Sequence, residues 1–260
     1  MYAYLGAVWS YRHFWLALVK MDLRTRYRGS VLGIGWSLLH PIAMTAIICT
    51  VFSTIFNADI RSYAPFLMAG LTLWNYVLGV SLSGSQCFFQ AEAYIRQYPA
   101  PMAIYPLRTT LGAAFHFSLS LLLVVLLAAV LRGTPQPLAL LSLLPTVLLL
   151  LLLGWALATV FGLVTVRFRD THHLSELAFQ SLFYLTPVIY EPEMLTRRGL
   201  GLLLHVNPVV PFLRLLRDPI LEGRVPALHT YGAAGLTVLA ALAAAAVLLW
   251  REERQLIFHL

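Results

Sequence analysis

The chain has 260 residues, 60% of them hydrophobic and only 11% charged, and its formal net charge is +7. A soluble domain carries about 25% charged residues, so this composition cannot clothe a water-soluble globule, and a mean hydropathy of +0.78 reads as a polytopic membrane protein. The positive balance suits anionic lipid headgroups and not nucleic acid, because the basic residues are spread between apolar runs rather than gathered in one stripe.

Residues 1–33 form an amphipathic N-terminal segment. Trp9, Phe14 and Trp15 fit the membrane interface. From Leu16, apolar residues recur at Val19, Leu23 and Tyr27 on one helical face. Lys20, Arg24 and Arg28 run as a stripe beside it, and Asp22 and Arg26 are spaced to pair at i,i+4 on the other side. The segment predicts a helix lying in the headgroup layer. Gly29, Gly33 and Gly35 then let the chain turn into the bilayer. The first strongly apolar run begins near Ile34, too late and too long for a cleavable signal peptide.

Six stretches reach the length of a membrane span, which needs about 20 apolar residues: about 34–56, 65–89, 107–131, 138–166, 174–190 and 228–250. The expected fold is therefore all-α, one six-span domain over 34–260. The fourth span is long enough to bend at Pro145, and the fifth is short and closed by Pro187. Cys49 and Cys87 fall in apolar runs and read as small buried residues.

With the N-terminus inside, eleven of the 18 basic residues fall on inner segments, Arg254 among them, and seven on outer ones. Five of those seven lie in one long connection, which weighs less in orientation. Both termini are expected in the cytoplasm.

Two connections stand out. Gln90–Tyr98 holds good helix formers, stopped by Pro99 and Pro101, and predicts a short cytoplasmic helix of the kind that docks a partner. The outer connection, 191–227, is too apolar for a free loop. Asn207 is placed to cap a helix with Pro208 at its first position, Val209, Leu213 and Leu216 share a side, and Arg214 and Asp218 are spaced as an i,i+4 pair. Two short helices dipping back into the outer leaflet, as a lid, are expected there.

The residues exclude several chemistries. A single lysine, Lys20, rules out a G-x-x-x-x-G-K-[ST] phosphate loop, so any ATP hydrolysis belongs to another chain. No H-E-x-x-H or C-x-x-C occurs. His172 and His173, near Asp170 and Glu176, point about 100° apart on a helix and read as a solvated turn rather than a metal site. His40 and His116 are almost the only ionisable groups within the apolar cores, which leaves no buried carboxylate for ion-coupled transport. An intramembrane enzyme would need Glu191, Glu193, His205 and Asp218 to converge on one pocket. The aromatics Trp36, Phe52, Trp74, Tyr76, Phe88, Phe89, Phe183 and Tyr184 fit either an interfacial belt or a stacking surface for sugar rings. In the second case the polar face of span two, Asn75, Ser81 and Ser85, faces a cavity.

"KMDLRTRYRGSVLGIGWSLLHP" (Lys20 to Pro41), the helix around Glu92 to Tyr98, "LTPVIYEPEML" (Leu185 to Leu195) and "NPVVPFLRLLRDPILEGR" (Asn207 to Arg224) resemble the ABC-2 export permeases, most closely the branch that moves O-antigen, capsular polysaccharide or teichoic acid. The resemblance implies a subunit without its own catalytic site, cofactor or metal, working as a homodimer in a bacterial inner membrane with two copies of an ABC ATPase that binds ATP and Mg. It implies ATPase contacts through an interface helix (Lys20, Arg24, Arg28) and a coupling helix (Glu92, Tyr94, Ile95, Arg96). It also implies a path for a lipid-linked glycan along the aromatics above, and an outer gate that includes Tyr190, Asn207, Pro208, Arg214 and Asp218. Permeases for drugs and other hydrophobic small molecules share the layout and remain the alternative.

Overall fold

The computed structural model describes residues 2–56, 58–98, 100–253, 255 and 256; Pro99 and Arg254 lie outside them. Helices α1 (Tyr2–Ser10) and α2 (Arg12–Tyr27) precede a 3-10 turn at Gly33–Gly35. There follow α3 (Trp36–Phe56), α4 (Ile60–Ser85), the short α5 (Cys87–Gln90) and α6 (Glu92–Gln97), and α7 (Ile104–Arg132). Then come α8 (Pro137–Leu141), α9 (Leu143–Arg167) and α10 (Thr171–Leu185). Three short helices, α11 (Pro192–Arg197), α12 (Gly201–Val206) and α13 (Val210–Arg217), lead through a π turn at Asp218–Glu222 to α14 (Leu228–Glu252). The described residues contain no strand.

Among them, five helical stretches are long and apolar enough to cross a membrane: Gly33–Ile55, Ile60–Ser85, Ile104–Arg132, Pro137–Arg167 and Leu228–Glu252. Chain chemistry moves the expected boundaries. The second begins at Ile60 rather than 65, with Pro65 inside the helix. The fourth breaks at Ser142, not at Pro145 itself, because a proline ring collides with the carbonyl four residues earlier, here Leu141. The fifth predicted span, 174–190, appears as α10, which stops at Leu185. Thr186 precedes Pro187 and is therefore extended, at φ −99° and ψ 133°. In the connection between α10 and α14 there are three short helices and a π turn where two helices were expected.

α4 is the centre of the bundle. It is the most buried of the five apolar helices, 67% against 17% for α7 and α14, and packs on α3, α7, α9, α10 and α13. It lies closest to α9 at Gly84, where a Cβ would collide with the Ala158 backbone, and at Gly162, where it would meet the Gly84 carbonyl at 2.9 Å. Small residues buy this approach where the solvent is lipid and burial alone gives helices no reason to associate.

Both ends of the described residues lie at one end of the bundle. The Tyr4 hydroxyl donates to Glu253 Oε1 at 2.6 Å, and the Met102 N–H donates to the same oxygen at 3.1 Å. Burial and this carboxylate hold the Tyr4 hydroxyl well above its usual range, so it stays a donor. Arg167, closing α9, pairs with Glu252, closing α14, at 3.0 Å. At the far end the Tyr231 hydroxyl of α14 donates to the Ser142 carbonyl at 2.8 Å. α9 and α14 thus run parallel, and the chain between them returns from the terminus-bearing end to the opposite one.

Candidate functional site

At the terminus-bearing end, Lys20 and Arg24 of α2 and Arg28 just after it face the exterior. Asp22 does not pair with Arg26. It takes the Arg108 guanidinium of α7 in a two-pronged ion pair, a planar fit that outcompetes a flexible neighbour on the same helix. Arg108 also lies 6.0 Å above the Tyr94 ring.

α6 forms beside α2, within the helix expected around Gln90–Tyr98. Glu92 and Arg96 pair on its surface at 2.9 Å, both partly exposed. Ile95 is buried, and Tyr94 turns toward α2, its ring 6.2 Å edge-on from Phe14 and its hydroxyl 3.8 Å from Met21 Sδ. Tyr98 stacks on Phe14 at 5.9 Å and meets Tyr11 edge-on at 6.3 Å. These contacts make α2 and α6 one aromatic-welded body with its charges outside.

A groove of about 530 Å³ opens between α2, α3, α4 and α7. Tyr27 Oη, Ser37 Oγ and His116 Nδ1 meet beside it, at 2.5 Å between the hydroxyls and 3.0 and 2.8 Å to the ring. Trp36 lies on its wall, half exposed. Asn75 faces this groove, but Ser81 and Ser85 do not: both are buried, Ser81 donating to the Val77 carbonyl and Ser85 to that of Leu82. With its hydrogen so used, Ser85 accepts from His172 Nδ1 at 2.7 Å, and the solvated turn expected at the histidines instead fastens α10 to α4.

The other aromatics divide by environment. Trp74 is buried against Phe179 at 6.2 Å and Phe183 at 5.4 Å. Tyr76 is buried and donates to the Leu150 carbonyl at 2.9 Å. Phe88 is buried edge-on to Tyr105, Phe89 sits 5.8 Å under Arg169, and Phe52 is half-buried. Tyr184 stands out from α10 with 66% of its surface exposed.

The opposite end centres on a residue that sequence reasoning counted only as an outer positive charge. Arg217 is buried. It donates to the carbonyls of Pro187 at 2.8 Å, Val188 at 2.9 Å and Phe66 at 3.2 Å. Its guanidinium lies 3.5 Å above the Phe66 ring, and a Cβ on Gly70 would come within 2.5 Å of it. Burial pulls its pKa down to about 9, so it remains charged at neutral pH. A signal was available: position 217 follows Leu213 by four and Val210 by seven, on the apolar face of α13. Asn207 joins the same region, accepting from the Val209 N–H at 2.9 Å and donating to Thr186 Oγ1 at 2.8 Å. Pro208 beside it is exposed. Tyr190 donates to the Tyr184 carbonyl at 2.9 Å. Asp218 pairs with Arg224, at 3.4 Å, and not with the exposed Arg214; the π turn bends the chain so that the later arginine reaches it. Glu191, Glu193 and Asp218 line a cavity of about 680 Å³ at this end. His205 is not among its lining residues: it is exposed on α12, its ring 3.0 Å from the Gly201 carbonyl, so that acid–base set does not converge.

The family model for the ABC-2 type transporter matches residues 13–221, from α2 through the π turn. The chain belongs to the ABC-2 type transporter family. It is similar to an O-antigen export system permease protein of Myxococcus xanthus, 26% identical over 94% of this chain and 91% of the relative. An O-antigen export system permease protein of Klebsiella pneumoniae is 23% identical over 80% of each chain. The ABC-2 match takes in α2, α6, the groove and Arg217 together, and this ABC-2 chain is a multi-pass membrane protein.

Proposed function

We propose that this chain is the transmembrane subunit of an ATP-driven exporter that moves a lipid-linked polysaccharide out across the cytoplasmic membrane. The observation that carries the reading is its likeness, over most of both chains, to permeases named for O-antigen export. The lone lysine, which excludes a phosphate loop, supports hydrolysis by a separate ABC ATPase that binds ATP and Mg. Two such subunits and two copies of this chain would make the machine.

Six crossings, with α10 as the fifth, fit the parallel course of α9 and α14, since the chain must come back between them. At about 1.5 Å per residue α10 is roughly 22 Å long, short of a bilayer core of about 30 Å, so Thr186–Tyr190 would complete the crossing. Both termini would be cytoplasmic, as the basic residues of α2 suggest. The ATPase would press on α6 and on Lys20, Arg24 and Arg28 of α2, and because these helices form one body the push would turn them together. The short helices α11 to α13 would gate the outer mouth.

Deleting the gene tests this reading. Lipid-linked polymer should accumulate inside the cell and vanish from its surface. Normal surface polymer in the deletion strain would reject it.

A further inference from the structure

The groove between α2, α3, α4 and α7 has a polarity its surroundings do not call for. On α4, Thr72, Asn75, Gly79 and Ser83 line it at spacings of three and four, so they form one polar stripe. On α7, Thr109, Gly112, His116 and Ser120 line it in the same manner. Each stripe covers about 16 Å of helix at 1.5 Å per residue. The two face each other in helices whose other sides are apolar, starting beside α2 and reaching the middle of the bundle. The Thr72 hydroxyl is buried and finds no hydrogen-bond partner among the described residues. The two stripes are neutral amides, hydroxyls and an imidazole; Asp22 and Arg26 of α2 also line the groove, and half-exposed Trp36 adds an aromatic face. At Gly79 and Gly112, which also line it, an added Cβ would meet no atom within 4 Å. The volume of about 530 Å³ falls in the roughly 300–1,000 Å³ range of small-ligand sites.

We propose that this groove is a saccharide-binding subsite, which takes uncharged sugar residues of the exported polymer against Trp36 and the two polar stripes. Hydroxyl and amide side chains exchange hydrogen bonds with sugar hydroxyls, and an aromatic face packs against the apolar C–H face of a pyranose. Isoprenoid or acyl chains do not fit, because they would strand the polar stripes. The proposal rests on the exporter reading and adds a binding place on the α7 side of α3.

The test uses the full-length chain in phospholipid nanodiscs, with fluorescently labelled polysaccharide from the producing cell, stripped of its lipid by mild acid. Gly79→Leu and Gly112→Leu put an apolar side chain into the groove from positions where the added Cβ meets no neighbour, and favour the helix. Gly235→Leu, on α14 and equally open, is the control. Each groove variant should weaken binding at least tenfold, with the control unchanged and all three as thermally stable as wild type. The proposal is overturned if wild type does not bind the delipidated glycan, if the groove variants bind it normally, or if the control loses binding equally. In cells, normal export by both groove variants would reject the groove alone. Normal export after gene deletion would reject the exporter reading beneath it.

Discussion

The two ends of the bundle are held by opposite means. At the terminus-bearing end, α2 and α6 are joined by rings, Phe14, Tyr11, Tyr94 and Tyr98, and one ion pair, Asp22 with Arg108, ties α2 to α7. Lys20, Arg24, Arg26, Arg28, Glu92 and Arg96 are left at the surface. At the opposite end a single buried cation, Arg217, draws backbone carbonyls from α4 and from the break after α10 onto one guanidinium. The first arrangement is stiff within itself and sticky outside, which suits a body that is pushed. The second spends its charge inward, on closing irregular backbone that lipid cannot solvate.

This contrast predicts where stability and export part company. Arg217→Ala strips three carbonyls of a charged donor and should cost about 3–5 kcal/mol, at roughly 1–3 per orphaned group less what water restores. Thermal unfolding in detergent checks it, and Arg217→Lys should recover only part, because one ammonium cannot match the planar fork. Next comes Gly84→Ala at the α4–α9 crossing, where overpacking against the Ala158 backbone should cost about 1–3 kcal/mol in the same assay. Phe14→Ala breaks two ring contacts at the other end and should cost about 1–2 kcal/mol. Because it loosens α6 from α2, it should also slow export in cells. The smallest effect on the fold is expected for Glu92→Ala with Arg96→Ala, since an exposed i,i+4 pair is worth about 0.3–0.5 kcal/mol. That pair of changes should nonetheless cut export about tenfold if α6 couples to the ATPase, within the roughly 5–150-fold span of coupling energies. Unchanged export would erase the functional half of the contrast.

Much of this plan was legible in the residues. Hydropathy located every long apolar helix, and Gln90–Tyr98 announced a short helix that forms as Glu92–Gln97. What escaped was long-range. The i,i+4 rule sees one helix, so it offered Asp22 to Arg26 and Asp218 to Arg214, while the fold brought in Arg108 from 86 positions away and bent Arg224 back through a π turn. Arg217 was read by its charge alone, and a side count of arginines has no place for one that is buried. The polar stripe of α7 was hidden for a different reason: averaged over a window of high hydropathy, Thr109, Gly112, His116 and Ser120 disappear, and only their common phase on the helix reveals them. Ser81 and Ser85 show the reverse error, since a serine in a span is often satisfied by the carbonyl three or four residues before it.

The central claim, that this chain conducts while a partner supplies force at the terminus-bearing end, is tested most directly by reconstitution. Vesicles would carry the purified chain, its co-purifying ATPase and lipid-linked polymer, and translocation would be read by accessibility of the polymer to an added glycosidase. Protection should be lost only when chain, ATPase and ATP are all present. Translocation by the chain alone, with no ATPase or ATP in the vesicles, would contradict the account.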